Sequence, residues 1–99
     1  MAYERCVGLQ VVDEAAYGRY REGMLPILAR HGGAFRYDLR VAQVLTAQTP
    51  EPINRVFVLA FPDAAAHDAF FADGGYLAVR QAHFPAAVSH VTVIARYAR

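Results

Sequence analysis

Between Arg55 and the Pro62-Asp63 break, every residue of Val56-Phe57-Val58-Leu59-Ala60-Phe61 is apolar. A strand built from this run has no side left to face water, so it has to lie inside a sheet covered on both faces. In a chain of 99 residues that condition is demanding. One layer of helices covers one face, and a domain of this size buries only roughly 60–70% of its unfolded surface. With 56% of the residues apolar, more hydrophobic surface remains than one small core can hide. A single domain that self-associates is the expectation.

The other segments supply the layers. Residues Arg5 to Val12 alternate Val7-Leu9-Val11 against Cys6-Gly8-Gln10 and predict a first strand. Asp13 offers an N-cap oxygen, and Tyr17, Tyr20, Met24 and Leu28 recur at three- and four-residue steps, the signature of an amphipathic helix. Pro26 predicts a kink or restart in that helix, and Gly32-Gly33 its end. From Ala34 to Ala47, Phe35, Tyr37, Leu39 and Val41 oppose Arg36, Asp38 and Arg40, a second strand whose pattern blurs after Val41. A loop follows at Gln48-Thr49-Pro50-Glu51-Pro52. After the apolar strand come an alanine-rich helix over 64–71, a stop at Asp73-Gly74-Gly75, and a short helical segment from Tyr76 to His83 that ends before Pro85. Val88 to Tyr97 is the last strand, with Val91, Val93, Ala95 and Tyr97 on one face.

This order predicts an α+β, ferredoxin-like βαββαβ domain over residues 1–99, with strands one and three at the centre of a four-stranded antiparallel sheet. Its helix-free face still carries apolar residues from several strands. Burying even ~600 Å² of it at about 25 cal/mol/Å² contributes on the order of 15 kcal/mol before association costs, so the expected partner is a second copy packed sheet on sheet.

Composition excludes several chemistries. All 10 cationic side chains are Arg, so no Lys exists for a Schiff base or a P-loop. The single Cys6 makes neither an intrachain disulfide nor a thiolate metal cage, and Ser89, the lone serine, has no G-x-S-x-G around it. No G-x-G-x-x-G is present, and the four histidines have no metal-site spacing, so no cofactor and no metal are expected. Charge is nearly balanced, at a formal +1, without the basic patch that nucleic acid requires. No secretory leader or membrane span is legible, and the cytoplasm is the expected compartment.

Tyr17-Gly-Arg-Tyr20, His31-Gly32-Gly33, Phe61-Pro62 before an alanine-rich helix, and Tyr76-Leu-Ala-Val-Arg80 together resemble the family called domain of unknown function 1330. The resemblance covers nearly the whole chain. It implies the dimeric α/β-barrel superfamily, whose relatives include antibiotic-biosynthesis monooxygenases, muconolactone isomerases and stress-responsive barrel proteins. The chain departs from the family pattern twice. Thr46-Ala47 stands where the family has an acidic residue and a glycine, and His83-Phe84-Pro85 where it has an arginine.

Tyr76 and Arg80, one helical turn apart, can converge on a carbonyl, enolate or carboxylate oxygen; alternatively Tyr76 packs and Arg80 caps or pairs. His83, beside Arg80, is the candidate acid–base group. Tyr17, Tyr20 and Tyr37, with Phe35, either line an aromatic ligand pocket or form core. His31 is a further candidate ligand contact, although its place at a helix C-terminus also explains it. The expected function is binding of a small, aromatic or polyketide-like molecule between sheet and helices. The resemblance adds cofactor-independent monooxygenase, isomerase or cyclase chemistry, in which His83 moves a proton while Arg80 and Tyr76 steady an oxyanion. A non-catalytic or stress-associated dimer is the competing class, and haem on His31 or His83 a third.

Overall fold

A computed structural model describes residues 1–99. Its elements run β1 (Tyr3–Val11), α1 (Glu14–Arg30), β2 (Ala34–Arg40), β3 (Arg55–Phe61), α2 (Ala64–Ala72), α3 (Gly74–Ala87) and β4 (Val88–Ala98). The sheet order is β2-β3-β1-β4, and every neighbouring pair is antiparallel. The fold is therefore α+β and ferredoxin-like, with the two predicted strands at its centre.

Three aspartates start the three helices. The side chain of Asp13 accepts from the Ala16 amide at 3.0 Å, that of Asp63 from Ala66 at 2.8 Å, and that of Asp73 from Gly75 at 2.8 Å. Helix α1 ends in a Schellman arrangement: Gly33 N–H donates to Leu28 O at 2.9 Å and Gly32 N–H to Ala29 O at 3.0 Å, with Gly32 at φ +73°. The expected restart at Pro26 does not occur. The proline sits on the exposed side of a continuous helix, where the hydrogen bond it cannot donate costs least. Helix α3 likewise runs through Pro85 and leads directly into β4, longer than the expected Tyr76–His83 segment.

All helices pack on one face of the sheet. That face carries Val7, Leu9 and Val11 from β1 and Phe57, Leu59 and Phe61 from β3, which meet Tyr17, Tyr20, Met24 and Leu28 of α1 and Phe70, Tyr76 and Phe84 of α2 and α3. Burying each such side chain contributes about 1.5–3 kcal/mol, enough together to fix one register. Between α1 and α3, Gly23 admits Val79, whose Cγ1 lies 2.8 Å from where a Cβ would stand.

Three bulges change the faces that simple alternation predicts, one of them at Ser89 in β4, where Gln10 pairs with His90 but Val11 with Val88. In β2, Phe35 pairs with Leu59 but Tyr37 with Val58, so Arg36 is an extra residue. Phe35 keeps the helix face, while Tyr37 and Leu39 turn to the other. In β4, Val93 pairs with Val7 but Ala95 with Cys6, so Ile94 is extra. Ala95 and Tyr97 then share the outer face, and Arg96 joins the helix face. The expected strand from Ala34 to Ala47 also stops early, at Arg40. Residues 41–54 form a loop closed at its base by Val41 N–H donating to Asn54 O at 2.9 Å. Asn54 pins that base to β1: its Oδ1 accepts from Val11 N–H and its Nδ2 donates to Val11 O, both at 2.8 Å.

Candidate functional site

The fold leaves three hollows: a shallow charged one of about 230 Å³ at Asp38, Leu39, Arg40 and Arg55, and one on each side of the sheet. The outer one, about 690 Å³, lies between the 41–54 loop and the strands. Val41, Val44, Leu45, Ile53, Val56 and Ile94 form much of its wall, and no titratable side chain lines it. Such a surface packs; it has no group to move a proton or hold a charge. Gly8 is the local cause of its shape, since a Cβ there would stand 2.8 Å from Ile53 Cδ1. The glycine in β1 was the available sequence signal for this close approach.

The inner hollow, about 50 Å³, lies between sheet and helices and is lined by Tyr17, Tyr20, Tyr76, Arg5 and Arg80 among apolar side chains. Here the chemistry gathers. The Tyr20 and Tyr76 hydroxyls are 2.9 Å apart, and Arg80 Nη1 donates to the Tyr76 hydroxyl at 3.2 Å. Arg80 occupies the position one turn after Tyr76 that lets this bond form. Burial, reinforced by the neighbouring Tyr76, pushes the Tyr20 phenol far above its ordinary range, so Tyr20 stays protonated and works only as a neutral donor or acceptor. Tyr17 is 2% exposed. Burial raises its pKa too, opposed by the Arg21 side chain, whose guanidinium lies against its hydroxyl, and by the charge of Arg55.

Of the residues singled out in the sequence, Tyr17, Tyr20, Tyr76 and Arg80 are thus brought together. The others lie elsewhere. Tyr37 is 53% exposed on the outer face, because the Arg36 bulge turns it away from Phe35. His31 closes α1, where its Nε2 sits 2.8 Å from Asp73 Oδ2; that bond, first among the causes, holds the Asp73 carboxyl below its usual range. His83 is half-buried on α3, outside the lining of all three hollows. Thr46 lies in the wall of the outer hollow, on the other side of the sheet from Tyr76.

Haem does not fit these residues. His31 Nε2 is engaged by Asp73, the inner hollow is too small for a porphyrin, and the outer one is lined by no histidine, cysteine, methionine or tyrosine. Sequence reading missed Arg5, which lies on β1 with its guanidinium carbon 4.6 Å from the centre of the Phe71 ring. It also missed Glu4, fully buried on the outer face, where it accepts from the Tyr97 hydroxyl at 2.7 Å, from Arg36 at 3.2 Å and from Arg99. A charged pair, Glu4-Arg5, opening a strand was the only local signal. No helix is long and apolar enough to cross a membrane.

Solved structures share this architecture. A protein of unknown function from Rhodopseudomonas palustris is 21% identical, with a TM-score of 0.80 over 97% of this chain and 80% of that one. A DABB family protein with a ferredoxin-like fold from Mesorhizobium loti is 16% identical, with a TM-score of 0.69 over 99% and 96% of the two chains. A dimeric ferredoxin-like protein of unknown function from Jannaschia is 18% identical, with a TM-score of 0.62 over the full length of both. These identities carry the fold and no activity. No curated protein matches the chain. The domain of unknown function family DUF1330 matches residues 6–97, nearly the whole of the βαββαβ unit that holds the hollows, and the chain belongs to that family.

Proposed function

We propose that the chain is a homodimer, packed through the outer faces of its sheets, that binds a small oxygen-bearing organic molecule in the inner hollow. The observation that carries the binding reading is the Tyr20–Tyr76–Arg80 chain of hydrogen-bonding groups set in the otherwise apolar lining of that hollow. Because Arg80 donates to the Tyr76 oxygen, the Tyr76 proton is free to be donated onward, to Tyr20 or to a ligand oxygen that takes its place. Both donors are held in a low-dielectric site and so favour an oxygen that carries or develops negative charge.

Size limits the ligand. About 50 Å³ accommodates roughly three or four water-sized groups, whereas a drug-sized ligand fills ~300 Å³ or more. A polyketide or a whole aromatic ring enters only if the aromatic walls move, and a short chain enters as they stand. No carboxylate or imidazole lines the hollow, which favours binding without chemistry over proton transfer. In a catalytic version Arg80 and Tyr76 steady an enolate-like oxygen, and His83, three residues beyond Arg80, has to swing in to take the proton.

Titration of the 15N-labelled protein with butyrate, butyramide and phenol tests the reading. Saturable shifts at the Tyr17, Tyr76 and Arg80 amides, lost on Tyr76→Phe, are expected from at least one probe. No shift from any of the three overturns the binding site.

A further inference from the structure

Three arginines meet at one side of the inner hollow without an acid among them. Arg5 on β1 and Arg80 on α3 both line it. Arg96 on β4 is the direct cross-strand partner of Arg5, on the helix face because of the Ile94 bulge. Every acidic partner within ion-pair distance belongs to other cations: Asp38 to Arg21 and Arg55, Glu14 to Arg55, Glu4 to Arg36 and Arg99, and Asp73 and Asp68 to histidines. Like charges directly opposite on an antiparallel pair are unfavourable, and here a third joins them. Burial, then the charges of Arg96 and Arg80, pull the Arg5 guanidinium below its ordinary pKa.

The two guanidiniums that line the hollow are also fixed in place. Arg5 lies over Phe71 at 4.6 Å, and Arg80 lies over Phe84 at 4.3 Å while donating to Tyr76. Stacking on an aromatic face holds a guanidinium plane while leaving N–H groups along its edge to bind an anion, and little side-chain freedom is then lost on binding.

We infer that Arg5, Arg80 and Arg96 form an anion site at the mouth of the inner hollow, and that the ligand is a short-chain carboxylate whose head lies among them beside the Tyr76 hydroxyl and whose tail enters along the apolar wall of Val7, Leu9, Met24 and Leu59. This rests on the reading of that hollow as a binding site and adds its charge class. The tail is limited to about three or four heavy atoms by the volume inside. A bulkier acid has to leave its remainder outside.

Butyrate and butyramide have the same shape and differ in charge, so their titration at constant ionic strength is decisive. Butyrate is expected to bind about tenfold or more tightly than butyramide, since hydrogen bonds to a charged acceptor are roughly twice as strong as neutral ones. Arg96→Gln, at an exposed position, and Arg5→Gln are each expected to weaken butyrate about three- to tenfold and to leave butyramide unchanged. Equal binding of the two probes overturns the anion site while keeping the hollow; binding of neither overturns the anion site, and the hollow with it when phenol does not bind either. A second copy's carboxylate is the other source of compensation. If Arg96→Gln weakens the dimer and leaves butyrate binding untouched, the arginines serve the interface, and the inference fails.

Discussion

Glu4 is a carboxylate with no access to water on the helix-free face of the sheet, enclosed by Tyr97, Arg36 and Arg99. The hydrogen bond from Tyr97 is the largest influence on it; with Arg99 and Arg36 it outweighs the burial that would raise the pKa, and the carboxyl titrates below its usual range. A folded pKa below the unfolded one contributes stability that is fully present above the ordinary carboxylate range and is lost as pH falls through the folded value. Glu4→Gln should therefore lower the urea midpoint at pH 7, and the gap between variant and parent should narrow as the pH falls below the ordinary carboxylate range. A gap independent of pH would mean that packing, not charge, holds Glu4 in place. In the inner hollow, Tyr76→Phe strips the Tyr20 hydroxyl of its partner and Tyr20→Phe leaves the Tyr76 hydroxyl with Arg80 alone, each at about 1–2 kcal/mol. The double variant should cost less than the sum by about 1 kcal/mol, the coupling of the 2.9 Å bond, measured by denaturant unfolding of all four proteins.

At the scale of elements, glycines separate places where the backbone is tight from places where it is open. A Cβ on Gly33 would stand 2.5 Å from Leu28 Cδ1 and 2.8 Å from Phe61 Cε1, whereas at Gly18, inside α1, it meets nothing within 4 Å. Gly33→Ala should destabilise by about 1–3 kcal/mol and Gly18→Ala stabilise by about 0.5–1 kcal/mol, opposite shifts readable in one set of melting curves. The same scale shows what the chain's pattern made legible. Period-two runs, aspartate caps and the Gly32-Gly33 stop located all four strands and all three helical segments, because each is a local preference that the tertiary structure agrees with. The bulges at Arg36 and Ile94 were not legible, since a bulge leaves composition unchanged and reveals itself only in which residues pair across strands. They decide the candidate site. One sends Tyr37 away from Tyr17 and Tyr20, and the other brings Arg96 to Arg5. The helical spacing of Tyr17, Tyr20, Tyr76 and Arg80 survived because it lies on helices, where no such slip intervenes.

For the whole molecule, the dimensions are 33 × 30 × 17 Å, a slab of one sheet and one helix layer. Its outer face leaves Tyr37, Leu39 and Ile94 half exposed and Leu45 86% exposed, beside the apolar hollow under the 41–54 loop. These residues come from β2, β4 and the loop, so they span the sheet rather than mark one edge, and a second sheet can cover them together. Leu39 is a useful probe because it lies on the outer face, contributes little to its own core, and pairs across from Val56, which lines the hollow. Leu39→Arg should leave the far-ultraviolet circular dichroism and the inner hollow's probe binding intact while placing two like charges in the interface. Sedimentation velocity should then show a dimer for the parent and a dimer weakened about a hundredfold or more for the variant, the effect of losing roughly 2.7 kcal/mol at a central contact. A parent that stays monomeric at micromolar concentration overturns the dimer outright, and a variant that dimerises as tightly as the parent moves the interface off this face. In either case the inner hollow keeps its tyrosines and arginines, because every residue that builds it lies on the opposite side of the sheet from Leu39 or on the helices above it.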